Sequence, residues 1–223
     1  LLTSTAGNIT IDRLLYGNPI TFQAAGNIEV NENVLLSSFG SATLKADSDN
    51  NGIGDLIMAE GKTIVANGMY NTLTLQGANS FTMSDLFNKL LNFFTPNQMT
   101  VLITSTAGDI TVDHDLVTNN SLTLSAAGNL AMDSSVYFSP GGGTLTLQAD
   151  NDSNGAGVLS FADGVKVTAP PASGTNLVLQ SSGDMTTSGS LGKLTGQGAG
   201  TVSITSTGTL TIDSAVSNLR ALT

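Results

Sequence analysis

The chain contains no cysteine and no tryptophan, and of its 223 residues only 5% are aromatic and 11% charged. Without cysteine there are no disulfides and no thiolate metal sites. With His114 as the single histidine, a zinc or iron centre has too few ligands. The only metal chemistry left open is a hard cation held by oxygen, and calcium is the candidate cofactor. Basic residues are scarce: seven Lys and Arg against 17 Asp and Glu give a net charge of -10, which argues against nucleic acid as a partner. No apolar run has transmembrane length and no basic-then-apolar signal segment is visible, so the sequence is not membrane-spanning. It opens on Leu1 and not on Met, and is read as a portion of a longer or processed product.

What is present is repetition. "LTSTAGNITID" from Leu2 returns as "ITSTAGDITVD" from Ile103 and as "ITSTGTLTID" from Ile204, a spacing of 101 residues both times. This divides a single domain, 1–223, into units 2–102, 103–203 and a partial 204–223. Shorter segments recur inside each unit, beginning at Ile20, Ala42 and Leu73 in the first and at Leu122, Leu145 and Leu177 in the second. Short and long segments follow in the same order in both units. Each alternates aliphatic residues with Thr, Ser, Gln or Lys, as in "TLTLQ", and ends in a Gly, Asn or Asp turn, so the local structure is short strand.

Strands this short cannot bury an apolar face alone. Units of about 20 to 30 residues with two or three such strands suit an all-β parallel β-solenoid, each coil covering the next one's edge. Nine segment starts predict about nine coils and, at roughly 4.8 Å per coil, a rod on the order of 43 Å long. A sandwich of antiparallel hairpins competes, but does not predict variable segment lengths repeated in order. The pattern starts and stops in mid-repeat, which predicts a parent that continues in both directions or copies that assemble end to end.

The stretches "STAGNITID", "LTLSAAGNLAMDSSV" and "TLTLQADNDSNGAGVLSFADGVKVTA" resemble the filamentous-haemagglutinin-like exoproteins of Gram-negative bacteria, large secreted proteins often exported by a two-partner system. The resemblance covers essentially the whole chain. It implies a right-handed parallel β-helix, an extracellular or cell-surface location, and a non-enzymatic role as stalk or adhesin shaft. The partners implied are copies of the same protein, meeting end to end or laterally, and glycans or proteins of a host or neighbouring cell.

Three groups of residues are candidates for a more specific role. In "ADSDNNGIGD", Asp47, Asp49, Asn51, Ile53 and Asp55 stand at the alternate positions of an oxygen-ligand calcium loop, with Gly52 relaxing the turn. Met58 occupies the place of the bidentate Glu. Asp150, Asp152 and Asn154 repeat the start of the pattern, so weak calcium binding stands beside the plainer reading that these residues favour tight turns. Asn8, Asn27, Asn129 and Asp109 share an "AG[N/D]" turn, as turn formers or as an amide ladder. Third, "MSDLFNKLLNFF" breaks the alternation. Leu86, Phe87, Leu90, Leu91 and Phe94 recur at helical spacing after Ser84, a candidate cap, which predicts a short amphipathic helical insert near 83–94. It either covers one flank of the rod or docks a neighbouring chain.

Two further classes compete with this reading. A polysaccharide-binding or polysaccharide-degrading β-helix needs acids and bases gathered on one face. "VDHDL" brings Asp113, His114 and Asp115 together, but strand alternation sends His114 away from both carboxylates, so a solvated turn is expected. Ice binding needs aligned T-x-T pairs in successive coils. They occur at Thr3/Thr5, Thr72/Thr74, Thr104/Thr106, Thr144/Thr146 and Thr205/Thr207, with gaps between them.

Overall fold

The period-two alternation of the sequence becomes short strands of two to six residues. The computed structural model describes residues 1–36, 40–66, 72–87, 89–91, 99–118, 121–138, 143–168, 176–187 and 201–212. Every strand pair among them is parallel. The fold is all-β and solenoid-like, with long parallel sheets.

The longest sheet has nine strands: Leu2–Ser4, Ile20–Ala24, Ser41–Lys45, Thr72–Gly77, Thr100–Ser105, Ser121–Ala126, Thr144–Ala149, Asn176–Ser181 and Val202–Ser206. Before returning to this sheet, each pass of the chain forms a second strand. Ile9–Ile11, Ile28–Val30 and Leu56–Met58 make one ladder. Phe81–Thr82, Ile110–Val112, Leu130–Met132, Leu159–Phe161, Met185–Thr187 and Leu210–Ile212 make another. The first seven passes add a third strand, in the ladders Leu15–Gly17, Val34–Leu36, Ile64–Ala66, Leu90–Leu91 and Leu116–Thr118, Val136–Phe138, Val167–Thr168.

The register of the longest sheet stacks like on like. Leu2, Phe22, Leu44, Leu75, Ile103, Leu124, Leu147, Leu179 and Ile204 form one column through all nine strands, and so join the three residues that open the 101-residue repeats. From Leu44 to Leu179 this column is wholly buried. Each such side chain contributes about 1.5–3 kcal/mol by leaving water. The segment starts read from the sequence do not all face one another: Leu2 pairs with Phe22, two residues past Ile20, and Leu73 pairs with Val101, two residues before Ile103. The difference is two residues, which the period-two strand absorbs without turning any side chain outward.

One element departs from expectation. The helix predicted over 83–94 is five residues long, Met83–Phe87, and the chain is back in strand at Leu90–Leu91, paired with Ile64 and Val65. A helix of little more than one turn has barely repaid its nucleation cost, whereas a ready ladder satisfies the backbone at once. Leu86 and Leu90 therefore lie in the core, and neither presents an apolar face for docking. Phe87 ends the helix and Leu91 ends the strand; Phe94 is outside the described residues.

Candidate functional site

The two Asp/Asn loops lie where the chain leaves the longest sheet, after Ser41–Lys45 and after Thr144–Ala149. Both have the same internal wiring. Asp47 is fully buried, and its carboxylate accepts the backbone N–H of Asn51 at 2.9 Å through Oδ1 and that of Gly52 at 3.1 Å through Oδ2. Asp150, 1% exposed, accepts the N–H of Asn154 at 3.0 Å and of Gly155 at 2.8 Å in the same way. Such turns need left-handed backbone, and Asp47, Asn50, Gly52 and Asp150, Ser153, Gly155 supply it with φ between 50° and 82°.

Of the expected calcium ligands, Asp47 and Asp150 are thus turned into the protein. Asp49 and Asn51 remain exposed but hold each other: Asn51 Nδ2 donates to Asp49 Oδ2 at 2.9 Å. Asn51 Oδ1 accepts the N–H of Ile53 at 2.8 Å. Asp152, Asn154 and Ala156 repeat this at 2.8 Å for both bonds. Asp55 is tied through its backbone N–H to Asn27 Oδ1 at 2.9 Å. Among the described residues, no three Asp, Glu or His side chains gather closely enough to hold a metal ion.

The Asn/Asp turn positions do form a ladder, though not of amide on amide. Each side-chain oxygen accepts a backbone N–H from the next pass. Asn8 takes Asn27 at 2.9 Å, Asn27 takes Asp55, Asp109 takes Asn129 at 2.7 Å, and Asn129 takes Val158 at 3.1 Å. Sequence reading missed two members, Ser80 Oγ, which accepts from Asp109 at 2.9 Å, and Asp184, which accepts from Thr209 at 2.8 Å, and beside them Asn79, which reaches back to accept from Leu56 of the preceding pass at 3.1 Å. The signal was a glycine one to three residues before each of them. At this corner the passes nearly touch: a Cβ on Gly183 would run into the carbonyl oxygen of Gly157. A second corner carries a shorter ladder, Asn33 to Thr63 at 2.9 Å and Asp115 to Ser135 at 2.8 Å.

Asp113, His114 and Asp115 are all exposed on the bend between Ile110–Val112 and Leu116–Thr118, outside strand alternation. Asp113 accepts Ser84 N at 2.8 Å and Ser84 Oγ at 2.6 Å, so it caps the short helix of the preceding pass, the role expected of Ser84. The Ser84 hydroxyl holds the Asp113 carboxyl below the usual carboxylate range, helped by the Ser84 N–H and the charge of His114 and opposed by burial.

Acids and bases share a surface at one break, where Leu56–Met58 and Phe81–Thr82 do not pair and side chains of Asn79 and Lys89 take up the edge of Leu56–Met58. A cleft of about 100 Å³ there adjoins a groove of about 430 Å³ bordered by Glu60, Lys62, Asp85 and Lys89. Three of these are committed. Lys62 pairs with Glu32 at 3.0 Å, Lys89 donates to the Met58 carbonyl at 3.2 Å, and Asp85 accepts from Thr82 at 2.7 Å.

The T-x-T pairs fall into two registers. Thr72/Thr74 and Thr144/Thr146 align with each other, whereas Thr3, Thr104 and Thr205 lie one strand position pair further along, in a column that Gln23, Lys45, Gln76, Gln148 and Gln180 interrupt. Among the described residues, no helix is long and apolar enough to cross a membrane. Comparison with protein families, with curated proteins and with solved structures finds no match to this chain.

Proposed function

We propose that the chain is a shaft segment of a secreted bacterial surface adhesin or extracellular filament: a right-handed parallel β-helix of about nine coils with no catalysis of its own. The observation that carries this reading is the continuous stacking of one apolar column through nine parallel strands, buried from Leu44 to Leu179 and joined at the corners by side-chain ladders from pass to pass. Hydrogen bonds then run between passes, so a load along the rod is divided among many of them. A right-handed turn agrees with the strong bias of parallel crossovers. The resemblance to filamentous-haemagglutinin-like exoproteins supports the extracellular setting, with copies of the same protein and cell-surface glycans or proteins as the partners.

The test is the shape and mechanics of the isolated segment, by small-angle scattering, electron microscopy and single-molecule pulling. A rod that resists force as successive small steps supports the reading. A compact particle, or cleavage of a polysaccharide that Glu60→Gln or Asp85→Asn abolishes, sinks it in favour of a glycan-active β-helix. Calcium binding at the Asp47 and Asp150 loops is tested alongside: a rise in melting temperature with millimolar calcium that Asp49→Ala removes supports it, and an unchanged melting curve rejects it.

A further inference from the structure

Of the three Asn-Gly pairs in the sequence, the two among the described residues, Asn51-Gly52 and Asn154-Gly155, sit on exposed loops. Asn-Gly is the dipeptide in which an asparagine most readily loses its side-chain amide nitrogen, because glycine leaves its own nitrogen unhindered. In that reaction the glycine N–H gives up its proton and the nitrogen bonds to the Asn Cγ. The Cγ–Nδ2 bond breaks and Nδ2 leaves with the proton as ammonia. Water then opens the succinimide to aspartate or isoaspartate.

The loops engage every atom this reaction must free. The nucleophile's N–H, on Gly52, is held by Asp47 Oδ2 at 3.1 Å, and on Gly155 by Asp150 Oδ2 at 2.8 Å. The Asn Oδ1 is held by the N–H of Ile53 or Ala156, both at 2.8 Å, which fixes the side chain in a turn it must leave to cyclise. The departing Nδ2 is held by Asp49 at 2.9 Å or Asp152 at 2.8 Å. Deprotonating the Gly nitrogen would also forfeit the bond it donates to the buried Asp oxygen. A carboxylate is far too weak a base to take that proton itself.

We propose that the Asp-x-Asp-x-Asn-Gly loops are protected modification sites, in which buried Asp47 and Asp150 suppress succinimide formation at Asn51 and Asn154. This gives the Asp at each loop's first and third positions a role whether or not a cation binds there, and it stands apart from the proposed function.

The test is ageing of the full chain at neutral pH, with amide-to-acid conversion at each Asn followed by peptide mass spectrometry, folded and in urea. Folded wild type should convert both asparagines at least about tenfold more slowly than unfolded chain. Asp47→Ala should accelerate Asn51 and leave Asn154 as an internal control, and Asp150→Ala the reverse. Asp49→Ala, an exposed change that spares the core, should accelerate Asn51 severalfold. Equal rates in folded and unfolded wild type overturn the proposal, as does a folded Asp49→Ala or Asp47→Ala protein in which Asn51 converts no faster.

Discussion

The loops at Asp47 and Asp150 are near copies in sequence and in internal hydrogen bonding, yet they are held differently by what surrounds them. At the first, Thr106 reaches across from two passes away and donates its hydroxyl to Asp47 Oδ2. Buried Gln76 adds bonds to the Asp47 carbonyl at 2.9 Å and to Asn50 at 3.0 Å. At the second, the repeat equivalent of Thr106 is Thr207, and it donates instead to the Ser182 carbonyl at 2.6 Å. Ser182 belongs to the intervening pass, where the first unit has Ala78. Gln180, opposite the second loop, is exposed. The loop motif therefore fixes its own turn, while its anchorage depends on the pass stacked upon it.

The largest effect is expected where the two loops agree. A Cβ on Gly54 would lie 2.7 Å from both Asp47 N and Gly26 O, at a φ of 141° that side chains avoid. A Cβ on Gly157 would meet the Gly128 carbonyl oxygen and, at 2.7 Å, Asp150 N. Gly54→Ala and Gly157→Ala should each cost about 2–4 kcal/mol, Gly54 the more, in urea melts followed by circular dichroism. If either is tolerated, the corner does not set the spacing between passes.

Next come the buried carboxylates, where the copies should part. Asp47→Ala strands three donors and should cost about 3 kcal/mol, against about 2 kcal/mol for Asp150→Ala, with two. Equal losses would mean that the Thr106 contact contributes nothing. Thr106→Val isolates that contact, with an expected loss of about 1 kcal/mol, whereas Thr207→Val on the exposed corner should stay within about 0.5 kcal/mol. In a double-mutant cycle Thr106→Val should couple to Asp47→Ala and not to Asp150→Ala.

Much of this was legible in the sequence because strand alternation and turn chemistry are local. The inward aliphatics and the Asp-x-Asp-x-Asn-Gly turns leave a trace within ten residues, and the 101-residue repeat shows when such stretches are compared along the chain. What was not legible is set between passes. Leu2 faces Phe22 and not Ile20 because register is decided by the whole sheet. Leu90 and Leu91 carry helical spacing but lie beside a ladder edge at Ile64 and Val65 that claims them as strand. The burial of Asp47 and the backbone donors it holds are invisible in the loop's spacing, and Asn79, Ser80 and Asp184 read as ordinary turn residues until a partner from the adjacent pass appears.

The smallest expected effect extends the comparison to a carboxylate that is anchored between passes but exposed. Asp113 holds Ser84 of the preceding pass, and that hydroxyl keeps its carboxyl below the ordinary range. A carboxyl depressed in the folded state contributes stability above its unfolded pKa of about 3.9, and that contribution fades as pH falls through the lower folded value. The stability difference between wild type and Asp113→Asn should therefore be constant from pH 5 upward in urea melts and shrink below about pH 4. Ser84→Ala removes the main cause of the depression, so the part of the difference that is lost at acid pH should shrink. A difference that persists undiminished at the acid end would show that the Asp113 bond to Ser84 acts through shape and not through charge.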